Sequence, residues 1–192
     1  MDAEARRYHH GNLRSALLES ARSILEEGAS DLSLRAVARR AGVSHAAPYR
    51  HFPNHEALLV ELAKEGFVEL REEIVAAASQ KASESDRIAN IGAAYMRFVA
   101  RRPALARLMF GPQLPNRDSF ADLTVAADAV GDEIGNALHD SALGLSVWAA
   151  VHGLAMLILE NVIDLGQRKS GLDVLPSRAE ILLRSLFSVQ RD

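Results

Sequence analysis

The chain of 192 residues contains no cysteine. This absence excludes disulfides, iron–sulfur clusters and thiolate zinc sites, and it is typical of proteins from a reducing compartment. The first twenty residues also lack the continuous apolar stretch of a signal peptide. We therefore expect a cytoplasmic protein.

The sequence likewise lacks the alternation of apolar and polar residues that marks a half-buried strand, and it contains no internal repeat. Apolar residues recur instead at helical spacing along most of the chain. With 48 % hydrophobic and 24 % charged residues, the composition is that of a globular protein with a sizeable core. We predict an all-α fold, with helices over about 13–27, 34–41, 45–52, 55–78, 86–101, 103–110, 118–139, 141–165 and 178–189.

Capping residues and helix breakers mark several of these boundaries. Ser33 and Asn54 precede predicted helices, where their side-chain oxygens can accept from free backbone N–H groups. Ser44 has the same position before the third helix, which Pro53 terminates. Gly42 ends the second helix because it supplies a backbone conformation that a residue with a Cβ resists. The first three helices therefore form one N-terminal unit, and the fourth connects it to a helical body without a flexible linker.

Charge is distributed unevenly along the chain. Residues 1–55 contain eight arginines and six acidic residues, whereas the remainder contains 14 basic and 19 acidic residues. Five of the seven histidines also lie in the first 55 residues. A basic end on an acidic body favours a phosphate-rich partner, although the basic excess at this end is modest.

Residues 33–52 have the spacing of a helix-turn-helix, in which two short helices cross at a tight turn. Ala38 is small enough to let the second of these helices cross close by, and Val43 is predicted to pack between them. Ser44 is expected to cap the recognition helix, whose N-terminus then directs free N–H groups and partial positive charge outward. The segment therefore predicts binding to double-stranded DNA.

The same segment resembles the tetracycline-repressor (TetR) family of bacterial regulators. The resemblance is carried by A-x-x-A-G-V-S from Ala38, by Y-x-H-F from Tyr49, and by an acidic residue and two leucines from Glu56 onward. It implies a three-helix DNA-binding domain over 1–54, followed by a larger helical ligand-binding and dimerisation domain over 55–192. It also implies a repressor that binds an inverted-repeat operator as a dimer and is released by a small-molecule effector. No cofactor is expected.

Three positions depart from the family pattern. Ala46 stands where the family often has glycine, and Pro48 stands where it usually has leucine or phenylalanine. Because Pro48 lacks an N–H, one early backbone hydrogen bond is lost, and we expect a short recognition helix that is stiffened at its start. The lysine that contacts a phosphate in the family is here His55, so this contact is either lost or dependent on pH.

Position along the helix-turn-helix assigns the expected DNA contacts. Residues 44–47 open the recognition helix and are the best placed to reach base edges, while the three residues after Pro48 are better placed for phosphates. Arg39 and Arg40 are left open between phosphate contact and an ordinary solvated face, and Phe52 is expected in the core. The predicted DNA-binding residues are Arg35, Ser44, His45, Ala46, Ala47, Tyr49, Arg50, His51 and His55.

In the body, aromatic and flexible side chains with one titratable group are candidates for a small-molecule site. The alternative is that they simply form the core. Trp148-x-x-x-His152-Gly153 also resembles a signature of one C-terminal subgroup of the family. The last two helices have broad apolar faces and are predicted to form a homodimer interface around a two-fold axis. The predicted ligand-binding residues are Tyr95, Phe98, Met109, Phe110, Trp148, His152 and Met156.

Metal binding and catalysis have little support in the sequence. His51 and His55 have the spacing of helical metal ligands, but Pro53 breaks the helix between them, and we expect no metal. No glycine-rich phosphate loop, nucleophile elbow or Ser/His/Asp pattern appears, so no catalytic residue is expected. Two alternatives stay open: a DNA-binding dimer without an effector, and a small helical enzyme using His152, for which the sequence names no catalytic partner.

Residues 142–159 carry no formal charge and have the minimum length of a membrane span. Their flanks are Asp140 and Glu160 rather than lysine or arginine, so we expect no membrane contact. An apolar helix of this kind is predicted to be buried, partly in its own domain and partly against a second subunit.

Overall fold

The computed structural model describes residues 13–28, 32–81, 83–114, 119–160 and 162–163, together with Ile181 and Ser185. Over these residues the protein is helical and contains no strand, which confirms the predicted all-α fold. A short 3₁₀ helix, Pro48–Arg50, separates the second and third α-helices. The α-helices are α1 (Leu13–Glu26), α2 (Leu34–Arg40), α3 (His55–Ala78), α4 (Glu84–Arg101), α5 (Pro103–Phe110), α6 (Ala121–Leu138) and α7 (Ser141–Leu159).

Capping contacts explain where α2 and α3 begin. The Ser33 hydroxyl accepts from the Ala36 N–H at 3.2 Å, and the Asn54 side-chain oxygen accepts from the Ala57 N–H at 2.8 Å. Each contact satisfies one of the backbone donors that a helix leaves free in its first turn. The predicted starts of both helices are therefore confirmed.

The turn after α2 is a Schellman motif that depends on glycine. Gly42 has a φ of 68°, its N–H donates to the Arg39 carbonyl at 3.3 Å, and the Val43 N–H donates to the Ala38 carbonyl at 3.0 Å. A residue with a Cβ is strained in this conformation. Val43 is half-buried and packs against the core. The predicted turn is thus confirmed, and it directs the following segment outward.

That segment differs from the predicted recognition helix. The residues after Ser44 form a turn, followed by the three-residue 3₁₀ helix. Because Pro48 has no N–H to donate to the Ser44 carbonyl, this carbonyl accepts from the Ala47 N–H instead, at 2.9 Å. The 3₁₀ helix is preceded by Ala47, and no side chain caps it. The prediction of a short α-helix capped by Ser44 is therefore wrong.

α3 is the central helix of the molecule. It contacts α1 on the side of the N-terminal unit, and it contacts α4, α5 and α6 in the body. Its buried side chains join those of α1 and α2 to those of the body in one continuous core. The N-terminal unit and the body are therefore packed against each other, both through α3 and through direct contact of α1 with α5, as the absence of a flexible linker predicted.

α6 and α7 approach closely where both helices carry glycine. A Cβ on Gly144 would lie 2.6 Å from the Cα of Gly135, and a Cβ on Gly131 would lie 2.9 Å from a ring carbon of Trp148. The absence of side chains at these positions lets the helix backbones and the indole ring come into contact. The pairing of α6 with α7 thus positions Trp148.

α7 has one buried face and one exposed face. Val147, Val151 and Ala155 are buried, whereas Leu145 is 64 % exposed and Leu157 is 40 % exposed. By length and composition alone α7 is apolar enough to cross a membrane, and 28 % of its most apolar stretch is buried. The predicted burial therefore holds for one face of the helix in a single chain.

α7 ends at Leu159, earlier than the predicted residue 165, and the predicted helix over 178–189 falls largely outside the described residues.

Candidate functional site

The predicted DNA-binding residues lie on the surface around the 3₁₀ helix. Eight of the nine are exposed, and Ala47 is half-buried. Tyr49 is 51 % exposed, whereas the neighbouring Pro48 is buried and Phe52 is 1 % exposed, which confirms the expected core position of Phe52. The surface side chains are thus held on an apolar base formed by Pro48 and Phe52.

Phe52 also ties the segment to α1. The guanidinium of Arg14 lies 5.7 Å from the centre of the Phe52 ring, a distance at which a cation and an aromatic face attract each other. Arg14 in turn forms an ion pair with Glu61 of α3. The base of the exposed segment is therefore in contact with two helices of the core.

A groove of about 590 Å³ opens beside the 3₁₀ helix, between the N-termini of α2 and α3. It brings together three of the predicted DNA contacts, namely Arg35, Tyr49 and His55. The N-terminus of α3, a helix of 24 residues, adds partial positive charge at this place. A groove with a guanidinium, a phenol and a helix N-terminus suits an anionic group such as a phosphate. Its lining consists of Leu32, Ser33, Leu34, Arg35, Tyr49, Pro53, Asn54 and His55.

The arginines near this groove differ in whether they are paired. Arg40 donates to both carboxylate oxygens of Glu27 at 2.6–2.8 Å. Arg35, Arg39 and Arg50 are exposed, and none of them forms an ion pair with another described residue. Of the two α2 arginines left open by the sequence, Arg40 therefore pairs with Glu27, whereas Arg39 forms no ion pair within the described residues.

A second polar site lies inside the body. The Tyr95 hydroxyl and the His152 Nδ1 are 2.7 Å apart, and the Phe110 ring centre is 4.5 Å from that of His152. Tyr95 is 1 % exposed, and this burial raises the pKa of its hydroxyl above the ordinary value of 10.0. The Trp148 Nε1 is buried and makes no hydrogen bond of ordinary geometry in the described part of the chain, but it lies close enough to the Tyr95 hydroxyl to lower the pKa of that group, against the larger effect of burial. The body thus contains a hydrogen-bonding cluster of Tyr95, His152 and Trp148 in apolar surroundings.

The structure brings several of the predicted ligand-binding residues together and places the rest in or near the core. Tyr95, Phe110 and His152 are in mutual ring contact, and Phe67 of α3 joins them, with its ring 5.3 Å from that of Phe110. Sequence reasoning missed Phe67, although it stands on the apolar face of its helix. The remaining predicted residues are core or near-core: Phe98 and Met109 are fully buried, while Trp148 and Met156 are half-buried.

Sequence reasoning also missed a row of four carboxylates along α3, here called the acidic row. Its members are four residues apart and lie on one helix face: Glu61, Glu65, Glu69 and Glu73. Each forms an ion pair with a basic residue, mostly from another helix. The pairs are Arg14 and Lys64 with Glu61, Arg22 with Glu65 and Glu69, Arg102 with Glu69, and Arg101 with Glu73. The regular spacing was visible in the sequence, but the partners were not.

Two members of the acidic row are held in the ionised form. Burial raises the pKa of Glu69, but the hydrogen bonds and charges of Arg22 and Arg102 outweigh it and leave the pKa below its ordinary value of 4.5. The same balance lowers the pKa of Glu61, where Lys64 and Arg14 outweigh burial. These carboxylates therefore carry full charge at neutral pH.

Metal ligands do not cluster in the described part of the chain, where no group of three or more histidine, aspartate and glutamate residues is placed to hold an ion.

Two family models match the chain. One, described as "Bacterial regulatory proteins, tetR family", matches residues 17–62, which include the helix-turn-helix. The other, described as "Tetracyclin repressor-like, C-terminal domain", matches residues 88–171 of the body. Together the two matches cover most of the N-terminal unit and much of the body, and they leave residues 63–87 between them unmatched.

Several known proteins are similar to this chain. A solved structure of a protein with unknown function from Rhodococcus sp. RHA1 is 32 % identical, covers 93 % of this chain and 96 % of its own, and has a TM-score of 0.75. An HTH-type transcriptional regulator of Mycobacterium bovis is 31 % identical over 114 residues, 57 % of this chain and 49 % of that protein. The nucleoid occlusion factor SlmA of Aliivibrio fischeri is 32 % identical over 110 residues, 54 % of each. The chain thus spans about half the length of the curated relatives it matches.

Proposed function

We propose that this chain, which belongs to the tetR family of bacterial regulatory proteins, binds an inverted-repeat operator as a homodimer and is released by a small-molecule effector. Membership of the family supports a helix-turn-helix transcriptional regulator. Repression, the operator, the dimer and the effector are the proposed parts. We also propose the division into domains over 1–54 and 55–192, and the subgroup marked by Trp148-x-x-x-His152-Gly153.

Operator binding is supported chiefly by three exposed arginines on the surface of the N-terminal unit. Arg35, Arg39 and Arg50 present positive charge that no described carboxylate neutralises, and Arg35 lines the groove together with Tyr49. Duplex DNA gains affinity mainly through such cations, because each one releases counterions from the phosphates. Since the segment after Ser44 is a turn and a 3₁₀ helix rather than an α-helix, we expect phosphate contacts to outnumber base contacts.

The test of operator binding begins with selection of duplexes from genomic DNA by the full-length protein. Fluorescence anisotropy then compares Tyr49→Ala with Val68→Ala, a control of similar exposure on α3 (51 % and 48 %). We expect Tyr49→Ala to weaken binding about tenfold, a loss typical of one good contact, while Val68→Ala leaves it unchanged. Equal DNA affinities of the two variants across a salt titration would show that Tyr49 does not contact DNA.

The homodimer is supported by the outward face of α7. Leu145 and Leu157 on this face are exposed in a single chain, and burying them against a second copy would stabilise the assembly. We expect sedimentation to show a dimer, and the double variant Leu145→Glu, Leu157→Glu to show the 20.9 kDa monomer. Val125→Glu on α6, which replaces another exposed apolar residue, is the control and is expected to stay dimeric. A wild-type protein that sediments only as the monomer contradicts the proposal.

Effector binding is supported by the polar cluster of Tyr95, His152 and Trp148. An apolar site with few hydrogen-bonding groups is typical of small-molecule pockets, and the buried Trp148 N–H is a donor that a ligand oxygen or nitrogen can use. We expect a thermal-shift screen of metabolites and drugs to yield a compound that stabilises the protein and releases DNA. Trp148→Phe, which removes the N–H and keeps an aromatic ring, should reduce the shift.

A DNA-binding dimer without an effector is the second candidate. Tyr95, Phe98 and Met109 are at most 1 % exposed, so the described core around the cluster is closely packed. The relative SlmA is named for nucleoid occlusion, which suggests a role at the chromosome other than the sensing of a small molecule. A screen in which no compound shifts the melting temperature or releases DNA would favour this candidate.

A further inference from the structure

The acidic row joins the N-terminal unit to the body at one carboxylate. Arg22 of α1 donates through Nη1 to the Glu69 Oε2 at 2.6 Å, and Arg102 donates through Nε to the Glu69 Oε1 at 3.2 Å. We propose that Arg22, Glu69 and Arg102 form a coupling clamp, through which the junction between α4 and α5 controls how firmly α1 is held. Its use in releasing DNA rests on the proposed function, but the clamp itself does not.

Glu69 differs from the other carboxylates of the row in what it connects. Glu61 pairs with Arg14 of α1 and with Lys64 of its own helix, while Glu73 pairs with Arg101 of α4. Among the four carboxylates, and within the described residues, Glu69 is shared between an arginine of the N-terminal unit and one of the α4–α5 junction. Its two oxygens are each used by a different arginine, so a shift of either partner changes the position of the carboxylate for the other.

Arg102 stands at a point where the backbone changes direction. Its φ of −129° and ψ of 52° are not helical, and Pro103 opens α5 directly after it. Because proline fixes its own φ and restricts the residue before it, α4 cannot continue into α5 as one helix. Arg102 thus lies at the corner between α4 and α5, and its position depends on how α5 packs against the body.

α5 links this corner to the polar cluster. It is eight residues long, begins one residue after Arg102, and ends at Phe110, whose ring contacts those of Tyr95 and His152. Met109 packs against Gly66 so closely that a Cβ on this glycine would lie 2.6 Å from the methionine sulfur. A displacement of Phe110 is therefore passed along a short, tightly packed helix to Arg102, and from there through Glu69 to Arg22.

The test uses hydrogen exchange of the full-length protein, which needs neither operator nor effector. We expect Arg102→Gln to speed amide exchange in α1 about threefold, the effect of losing one partly exposed ion pair. Arg101→Gln is the matched control, because its partner Glu73 forms no ion pair with a described residue of α1. Arg22→Gln should speed exchange in α1 as well, and adding Arg102→Gln to it should cause little further change, because both act through Glu69.

Two results would overturn the clamp. One is an α1 exchange rate in Arg102→Gln no faster than in Arg101→Gln, and the other is full additivity of the Arg22 and Arg102 variants. Arg102→Lys, which retains a charged donor, should partly restore slow exchange, and it serves as the test variant if Arg102→Gln does not fold. Since no DNA is present, failure here is distinct from failure of operator binding.

Discussion

Arginines on two sides of the N-terminal unit are used in different ways. On the surface around the groove, Arg35, Arg39 and Arg50 are exposed and form no ion pair with a described residue. On the side that faces α3 and the body, Arg14 and Arg22 are paired with carboxylates of the acidic row. Arginine thus supplies positive charge without a described ion-pair partner on one surface, and on the other it forms specific contacts between helices.

This difference predicts which arginines contribute to DNA binding and which contribute to the stability of the fold. A paired, partly buried arginine contributes to stability and cannot leave its carboxylate without cost. An unpaired, exposed arginine adds little to stability but contributes to the attraction of a polyanion. Variants of the two groups should therefore separate DNA affinity from stability.

The largest effect is expected from removing all three unpaired arginines. The triple variant Arg35→Gln, Arg39→Gln, Arg50→Gln should bind a selected operator about 100-fold more weakly and lower the salt slope by roughly 0.9 for each lost phosphate contact. Its melting temperature should be unchanged. Anisotropy at several salt concentrations and differential scanning calorimetry measure the two quantities. A lower melting temperature with intact affinity would reverse the assignment of these residues.

A sharper comparison uses two neighbours on α2. Arg39→Gln should weaken DNA binding about fivefold, because an available phosphate contact is lost. Arg40→Gln should change affinity less than twofold, because Arg40 already pairs with Glu27. Equal losses in the two variants would show that the Arg40–Glu27 pair opens when DNA binds.

On the other side of the N-terminal unit, Glu69→Gln is expected to act on stability. It removes two partly exposed ion pairs and should lower the free energy of unfolding by about 1 kcal/mol, which corresponds to a melting temperature lower by roughly 2–4 °C. Glu72→Gln on the same helix is the control, since Glu72 is exposed and forms no ion pair within the described residues. Equal melting temperatures for the two variants would mean that the clamp contributes no stability.

The smallest effect concerns the acid dependence of stability. The pKa values of Glu61 and Glu69 lie below 4.5 in the folded protein, so their contribution to the free energy of unfolding is complete above about pH 4.5. It is lost as the pH falls through the lowered folded pKa values. The stability difference between wild type and Glu69→Gln, measured by urea unfolding, should therefore shrink by a few tenths of a kcal/mol between pH 6 and pH 3. A difference that stays constant would contradict this origin.

The fold was predicted well where short-range contacts decide it. Ser33 and Asn54 are the caps of α2 and α3, and Gly42 forms the turn, because the hydrogen bonds involved join groups only three to five residues apart. Pro48 was recognised as a lost hydrogen bond, but its effect was underestimated. In so short a segment, the loss of one i→i+4 bond replaces the α-helix by a 3₁₀ turn.

The candidate site was predicted only in part, since its members come from distant positions. The exposed surface around Tyr49 follows from local structure and was predicted. Tyr95 and His152 are 57 residues apart in the chain, and their hydrogen bond depends on the packing of α7 against α4. Phe67 was missed for the same reason.

The amino-acid sequence alone determined the helical class, most helix boundaries and the turn at Gly42, because backbone hydrogen bonds and steric limits act over a few residues. It also placed four carboxylates at intervals of four along α3. Only the tertiary structure decided that Arg40 is paired while Arg39 is free of described partners, and that Glu69 is shared between Arg22 and Arg102. Pairing is set by which helix faces meet, and that depends on the packing of the whole core.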